Sequence, residues 1–312
     1  NIIIKDNLDN IAEIKKVNFN NYGFDKDKIY GELFNSQFEI KINKDTQQVD
    51  FKLLDTGISG KLNIYENNPN SLFRGGLKGK ILKSNFKFDF IFHGDFLEIK
   101  NFLFRGKEIS LDSTGRIDIK PFFQIILNSE IRNIHKNLFQ NLDLNNIFEF
   151  KEFIKKINGE NNITFKSKKF SRNIMRGFNL DTKLIYGRLS LSKEFLIANS
   201  VIFCTSKVNL IEEYPVFNFD CNLTSPDKKE FFKKMGISYE KKNERLSLQV
   251  KGNLNIFNNK INFYHIKMNN SYKAKNEDLK YFKNTFEKIL FDESFVKIFS
   301  LIKIQNFISE IS

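Results

Sequence analysis

The sequence predicts a mainly β protein: an elongated antiparallel β-groove, formed by a curled sheet, with a few short helices and an amphipathic helical C-terminus. Three observations lead there. Apolar residues recur with period two in segments of five to ten residues, the repeat of a strand with one face turned inward. Gly, Asn and Asp separate these segments, and no connection before Asn133 holds the dozen or so residues that a crossover between parallel strands needs. The apolar residues themselves are 36 Phe with abundant Ile, no Trp and three Met, side chains that suit a pleated, half-buried surface.

In chain order, Leu8–Lys16 reads as a short helix, and the first clear strand is Phe38–Ile42, where Phe38, Ile40 and Ile42 share one face and Glu39 and Lys41 the other. Val49, Phe51 and Leu53 repeat the alternation, as do Leu62 with Ile64 and Phe86, Phe88, Phe90 and Phe92. Further strands are expected at Leu97–Phe104, Ile109–Ile119 and Phe122–Ile131, then at Leu180–Ile185, Val201–Leu210, Val216–Leu223, Arg245–Ile256 and Lys260–Met268. One or two helices are expected within Lys136–Lys156. A better-marked helix runs from Ser225 to Met235, with Ser225 as N-cap, Pro226 in the first turn and Gly236 as the stop. At the end of the chain Leu279, Phe282, Phe286 and Ile289 stand at helical spacing, then Phe295, Ile298, Phe299 and Ile302 after a break near Asp292–Ser294. The chain thus divides into a β-groove segment over 1–133, a helical interruption over 134–160, a continued β-groove over 161–275 with a short helix at 225–235, and amphipathic helices over 276–312.

With 41% apolar residues in 312, there is material for a continuous core rather than disorder. The net charge of +13 is mostly Lys and reads as a solvated surface, although a basic face also attracts anionic headgroups or phosphates. No stretch supplies the ~20 uncharged apolar residues of a membrane-crossing helix, and no signal peptide pattern is present. The sequence starts at Asn1 rather than Met, as a fragment or a processed form would, which leaves room for a membrane anchor upstream. Cys204 and Cys221 form no CxxC spacing; export of the chain would allow them to pair, and two lone thiols in apolar strand positions are the favoured expectation.

Catalytic chemistry finds little support. His93, His135 and His265 lie far apart, and no HExxH, GxSxG or P-loop pattern occurs. Asp89, Asp95, Glu98 and Asp118 alternate with apolar neighbours, as solvent-facing strand residues do, rather than forming an acid–base pair. No cofactor or metal is expected. Gly76-Leu77-Lys78-Gly79 fits the loop of a KH domain, yet it leads into a strand-like segment instead of joining two helices, so nucleic acid is not expected as a partner. A transmembrane β-barrel is disfavoured by Lys on the outward face of nearly every strand and by the lack of Trp girdles.

Two stretches carry a resemblance to a known family. One is the run of rungs from Ile29-Tyr30-Gly31 through Phe38–Ile42, Val49–Leu53 and Gly60–Ile64 to Gly79-Lys80-Ile81-Leu82, Phe86–Phe92, Leu97–Asn101 and Ser110–Ile119. The other is Ser225-Pro226-Asp227 with Phe231, Met235-Gly236 and the strand Arg245–Val250 ending at Gly252. Together they resemble the AsmA-like proteins, bacterial relatives of the repeating β-groove lipid-bridge proteins. The chain is shorter than the long members of that family and shows no N-terminal anchor helix.

The resemblance implies a non-enzymatic cell-envelope protein, periplasmic and held to the inner membrane by a segment outside this sequence. Its apolar groove would bind phospholipids and conduct their acyl chains between the inner and outer membranes, supporting outer-membrane biogenesis. The residues expected to line it are Phe38, Ile40, Val49, Phe51, Leu62, Phe86, Phe88, Phe90, Phe217, Phe219, Leu246 and Leu248. The C-terminal helices are expected to cap an open sheet end, or else to meet a membrane surface or an envelope protein. The alternative is a structural scaffold for envelope assembly with a dry core built from the same residues.

Overall fold

The computed structural model describes residues 2–6, 9–18, 27–33, 36–54, 56–67, 73–81, 84–135, 154–155, 157–167, 175–197, 199–239, 243–255, 257–269, 271–291 and 301–311. The fold class read from the sequence is the one observed: a mainly β chain of antiparallel, curled sheet with a few short helices, one of them C-terminal. The chain separates into two compact units, Asn1–His135 and Lys136–Ser312.

In the first unit the strands are β1 (Ile2–Asp6), β2 (Asp9–Asn18), β3 (Asp27–Leu33), β4 (Ser36–Asn43), β5 (Gln48–Leu53), β6 (Ile58–Asn67), β7 (Phe73–Ile81), β8 (Ser84–Phe92), β9 (Phe96–Arg105), β10 (Ile109–Asp118) and β11 (Gln124–Ile134). Each pairs antiparallel with the next along the chain. Short connections make this the simplest topology. The β4–β5 turn shows how they close: Asn43 Oδ1 accepts from the backbone N–H of Asp45 and Thr46 at 3.1 and 3.2 Å, and Gln47 takes the left-handed φ of 49° before β5 begins.

The second unit holds β12 (Asn158–Lys166), β13 (Met175–Ile185), β14 (Arg188–Ile197), β15 (Ser200–Asn209), β16 (Val216–Ser225), β17 (Leu246–Asn255), β18 (Lys260–Met268) and the two-residue β19 (Tyr272–Lys273). They too pair antiparallel in sequence order. Between β13 and β14 the turn is Tyr186-Gly187, both at positive φ (44° and 79°), the backbone a tight two-residue hairpin requires. Three helices are described: α1 (Lys228–Lys234), α2 (Asn276–Leu290) and α3 (Leu301–Ile311). α2 packs on β18 and on α3.

Several expectations need correction. Leu8–Lys16 is not helical, because residues 9–18 form β2. A bulge explains the misreading: Ile14 pairs with Gly31 and Lys16 with Tyr30, so Lys15 is extra and the apolar spacing from Ile14 to Val17 becomes three, imitating a helix. β12 and β14 were not anticipated; β12 is too polar (NGENNITFK) to declare itself, and β14 carries Lys193 on its apolar face. β11 starts at Gln124 rather than Phe122. Helix α1 is capped by Asp227, whose side chain accepts from Glu230 N–H at 2.6 Å, while Ser225 ends β16 and donates to the Asp227 carbonyl at 2.9 Å. The helices expected within Lys136–Lys156 lie almost wholly outside the described residues, as do Phe295, Ile298 and Phe299. Ile302 falls in α3.

The two cysteines are not free thiols. Register places Cys204 of β15 directly opposite Cys221 of β16, and the two form a disulfide. Their separation of 17 residues is the length of one hairpin, a relation visible only once both strands are paired.

Candidate functional site

Antiparallel partners point to the same side of a sheet, so the register assigns every side chain to a face. In the first unit one face is apolar from β3 to β11. Ile29, Ile40 and Phe51 form one row with Gly60, Gly79, Phe86 and Phe104. A second row runs through Ile42, Val49, Leu62, Leu77 and Phe88. Phe90 continues the face opposite Gly75 and Ile99, and Leu111, Ile117, Ile125, Leu127 and Ile131 extend it across β10 and β11. The sequence-expected residues Phe38, Ile40, Val49, Phe51, Leu62, Phe86, Phe88 and Phe90 therefore share this face.

Glycines interleave the rings. Phe38 faces Gly31, Phe90 faces Gly75 and Phe86 faces Gly79, and in each pair a Cβ on the glycine would come within 2.6 Å of the ring's Cζ. Phe219 and Gly252 repeat the device in the second unit, at 2.8 Å. Each ring lies over the neighbouring strand, shielding a backbone that has no side chain of its own. Beside them Phe88 packs between Phe90 and Phe102, with ring centroids 6.3 and 5.9 Å away. Phe38 and Phe90 are buried, whereas Ile40, Val49, Phe51, Leu62, Phe86 and Phe88 are half-buried. Among the described residues, each strand of this unit packs appreciably only on its neighbours in the meander, and no second layer covers the apolar face.

The second unit has the same patterning with a different outcome at its C-terminal end. Phe217, Phe219, Leu246 and Leu248 share one face with Leu223, Val250 and Leu254. Leu246 is sealed under α1 in a cluster with Phe231, Phe232, Met235 and Ile237, closed further by Ile304 and Ile308 of α3. Phe217 and Phe219 pack towards Leu254, Ile261, Phe286 and Phe291. Of the twelve residues expected to line a groove, Phe217, Phe219 and Leu246 lie at a helix-covered core, Leu248 is half-buried opposite Leu223 and Met268, and those of the first unit lie on a face that no layer covers among the described residues.

The opposite face of the first unit is polar. Across β4–β9 it carries a depression of about 950 Å³, walled by the row Asp50, Lys61, Lys78 and Lys87 and by the row Lys52, Ser59, Lys80 and Asn85. Lys61, Lys78 and Lys87 stand directly opposite one another on consecutive strands, a juxtaposition of like charges that costs stability. Asp50 lies 3.8 Å from Lys61. Further along, the Asp112 carboxylate is held by Arg105 at 2.6 Å and Arg132 at 2.8 Å. Partial burial pushes its pKa up, the two guanidinium groups push it down, and the net direction is down.

A few polar side chains interrupt the apolar faces, and sequence reasoning singled out none of them. Ser113 and Ser129, opposite each other on β10 and β11, satisfy one another at 2.7 Å. In the second unit Ser206 is only 3% exposed and its hydroxyl has no hydrogen-bond partner among the described residues. Lys193, opposite Leu180 and Cys204, points onto the same apolar face, with its Nζ 4.9 Å from the Phe217 ring centroid. Burial holds its pKa below the ordinary 10.5.

Comparison with protein-family models, with curated proteins and with solved structures finds no match to this chain. Among the described residues no His, Cys, Asp and Glu group has the makings of a metal site, and no helix is long and apolar enough to cross a membrane.

Proposed function

We propose that this chain is a lipid-handling protein of the cell envelope, binding phospholipid acyl chains along the apolar face of its antiparallel sheet and passing them between inner and outer membranes. The observation that carries the reading is the first unit's apolar face: continuous from β3 to β11, half-buried, and without a covering layer among the described residues. A face of that kind is covered by something in water, and exposed apolar surface of this extent marks interaction sites. Acyl chains laid on it leave water at ~0.8 kcal/mol per CH₂, and an evenly apolar lining lets them slide without a covalent step. The envelope setting and the transfer between two membranes rest on the resemblance to AsmA-like proteins. The chemistry proposed is binding and transfer, not catalysis.

The test is native mass spectrometry and lipid extraction of the chain purified from bacterial membranes, beside Phe88→Asp. Phospholipid at discrete stoichiometry, lost in Phe88→Asp while circular dichroism keeps its β signature, is the expected result. A lipid-free protein that takes up no labelled phospholipid contradicts it.

A second reading is a structural scaffold with a closed, dry core. It is favoured by one observation, the sealing of Leu246 and its neighbours beneath α1 and α3. Global unfolding of Phe88→Asp together with absence of lipid would point there.

A further inference from the structure

We infer that Lys193 and Ser206 form the anchor for the anionic head of an acyl amphiphile, a carboxylate or phosphate, bound on the apolar face of the second unit. The inference rests on the lipid reading and adds the headgroup chemistry. Lys193 sits on β14 in a row with Leu180 of β13 and with Cys204 and Cys221 of β15 and β16. The neighbouring row holds Leu191, Ser206 and Phe219. All of these neighbours are uncharged, and the cysteines are consumed in their disulfide. Among the described residues Lys193 has no carboxylate partner.

Its side chain reaches diagonally to bring Nζ within 4.9 Å of the Phe217 ring of β16, and Ser206 stands on the same face in β15, the strand between them. An ammonium and an orphaned, 97%-buried hydroxyl thus stand in neighbouring rows of one apolar face. Both are costly as they stand, since a buried cation wants a counter-charge and a buried hydroxyl wants a partner. The paired serines Ser113 and Ser129 show how this chain otherwise settles polar groups on such a face. An oxyanion satisfies both at once, accepting from the ammonium and from Ser206 Oγ, with its acyl chain continuing along the apolar rows. The Phe217 ring stabilises the cation without neutralising it, so the charge remains available.

The experiment measures binding of the fluorescent fatty acid cis-parinarate and of its uncharged alcohol to the full chain, in wild type, Lys193→Met, Lys193→Arg and Ser206→Ala. Wild type is expected to bind the acid about tenfold or more tightly than the alcohol, the scale of a charged hydrogen bond. Lys193→Met should erase that difference and leave alcohol binding intact, which also reports that the variant is folded; Lys193→Arg should retain it, and Ser206→Ala should lose part of it. Displacement of parinarate by lysophosphatidate but not oleate assigns the site to phosphate heads, and the reverse to free carboxylates. Equal binding of acid and alcohol by wild type, or a preference that survives Lys193→Met, overturns the inference while leaving the lipid reading in place. Failure of both probes to bind takes down the lipid reading and this inference with it.

Discussion

Phe86 lies across Gly79: the two face each other on β8 and β7, and a Cβ at residue 79 would sit 2.6 Å from the ring's Cζ and 2.3 Å from the Ser59 carbonyl oxygen. Ring and glycine are one packing unit, since the phenyl occupies the volume a side chain would need. Gly79→Ala should therefore cost about 1–3 kcal/mol, the range for overpacking. Gly60→Ala, whose nearest side-chain atom is Leu77 Cδ1 at 3.3 Å, should cost clearly less. Urea midpoints of the two variants compare them, and equal losses would show that the ring is not the obstacle.

The disulfide between Cys204 and Cys221 ties β15 to β16 across 17 residues. Closing a loop of that length in the unfolded chain is worth about 3 kcal/mol on chain-entropy grounds. The Cys204→Ala, Cys221→Ala variant should lose roughly that much in denaturant unfolding, and wild type measured with reductant should match it. An unchanged midpoint on reduction would mean that the bridge is not formed in solution.

Lys193 gives a pH signature in the lipid-free protein. Its pKa in the folded chain lies below 10.5 through burial, so between the two values the unfolded chain holds more protons and stability rises with pH. The neighbouring residues on β13 to β16, namely Leu180, Leu191, Cys204, Ser206, Phe217, Phe219 and Cys221, do not titrate there, the cysteines being bridged. Lys193→Met should be the more stable protein at about pH 7, and its advantage should shrink as pH climbs towards the unfolded value. Paired urea titrations across that range check it; an advantage that stays flat or widens contradicts the burial of the charge.

Asp227 holds the start of α1, a helix that seals Leu246 through Phe231, Phe232 and Met235. Asp227→Ala should cost about 1 kcal/mol as a lost N-cap. Ser225→Ala should not behave as a cap variant, because its hydroxyl serves the Asp227 carbonyl instead. Thermal unfolding of both separates the two roles, and a cap-sized loss confined to Ser225→Ala would reverse the assignment.

Much of the fold was legible in the sequence because a strand's period of two is a local property. The alternation of Phe38, Ile40 and Ile42 or of Phe86, Phe88 and Phe90 fixes which residues share a face before any partner strand is known. Short Gly- and Asn-marked connections then leave the meander as the economical topology. Bulges defeat this reasoning, as at Lys15, since one extra residue inverts the alternation and mimics a helix. So does a polar residue on the inner face, and β14 with Lys193 went unread for that reason.

By itself, then, the sequence determined the fold class and the greasy face, since both follow from spacing along the chain. Tertiary structure alone decided which strand lies beside which and in what register. That is why the Cys204–Cys221 bridge, the rings seated on Gly31, Gly75, Gly79 and Gly252, the helix cover over Leu246, and the placing of Lys193 and Ser206 in neighbouring rows of one face could not be read beforehand. Each depends on residues far apart in sequence whose adjacency is set by pairing, and local pattern carries no record of it.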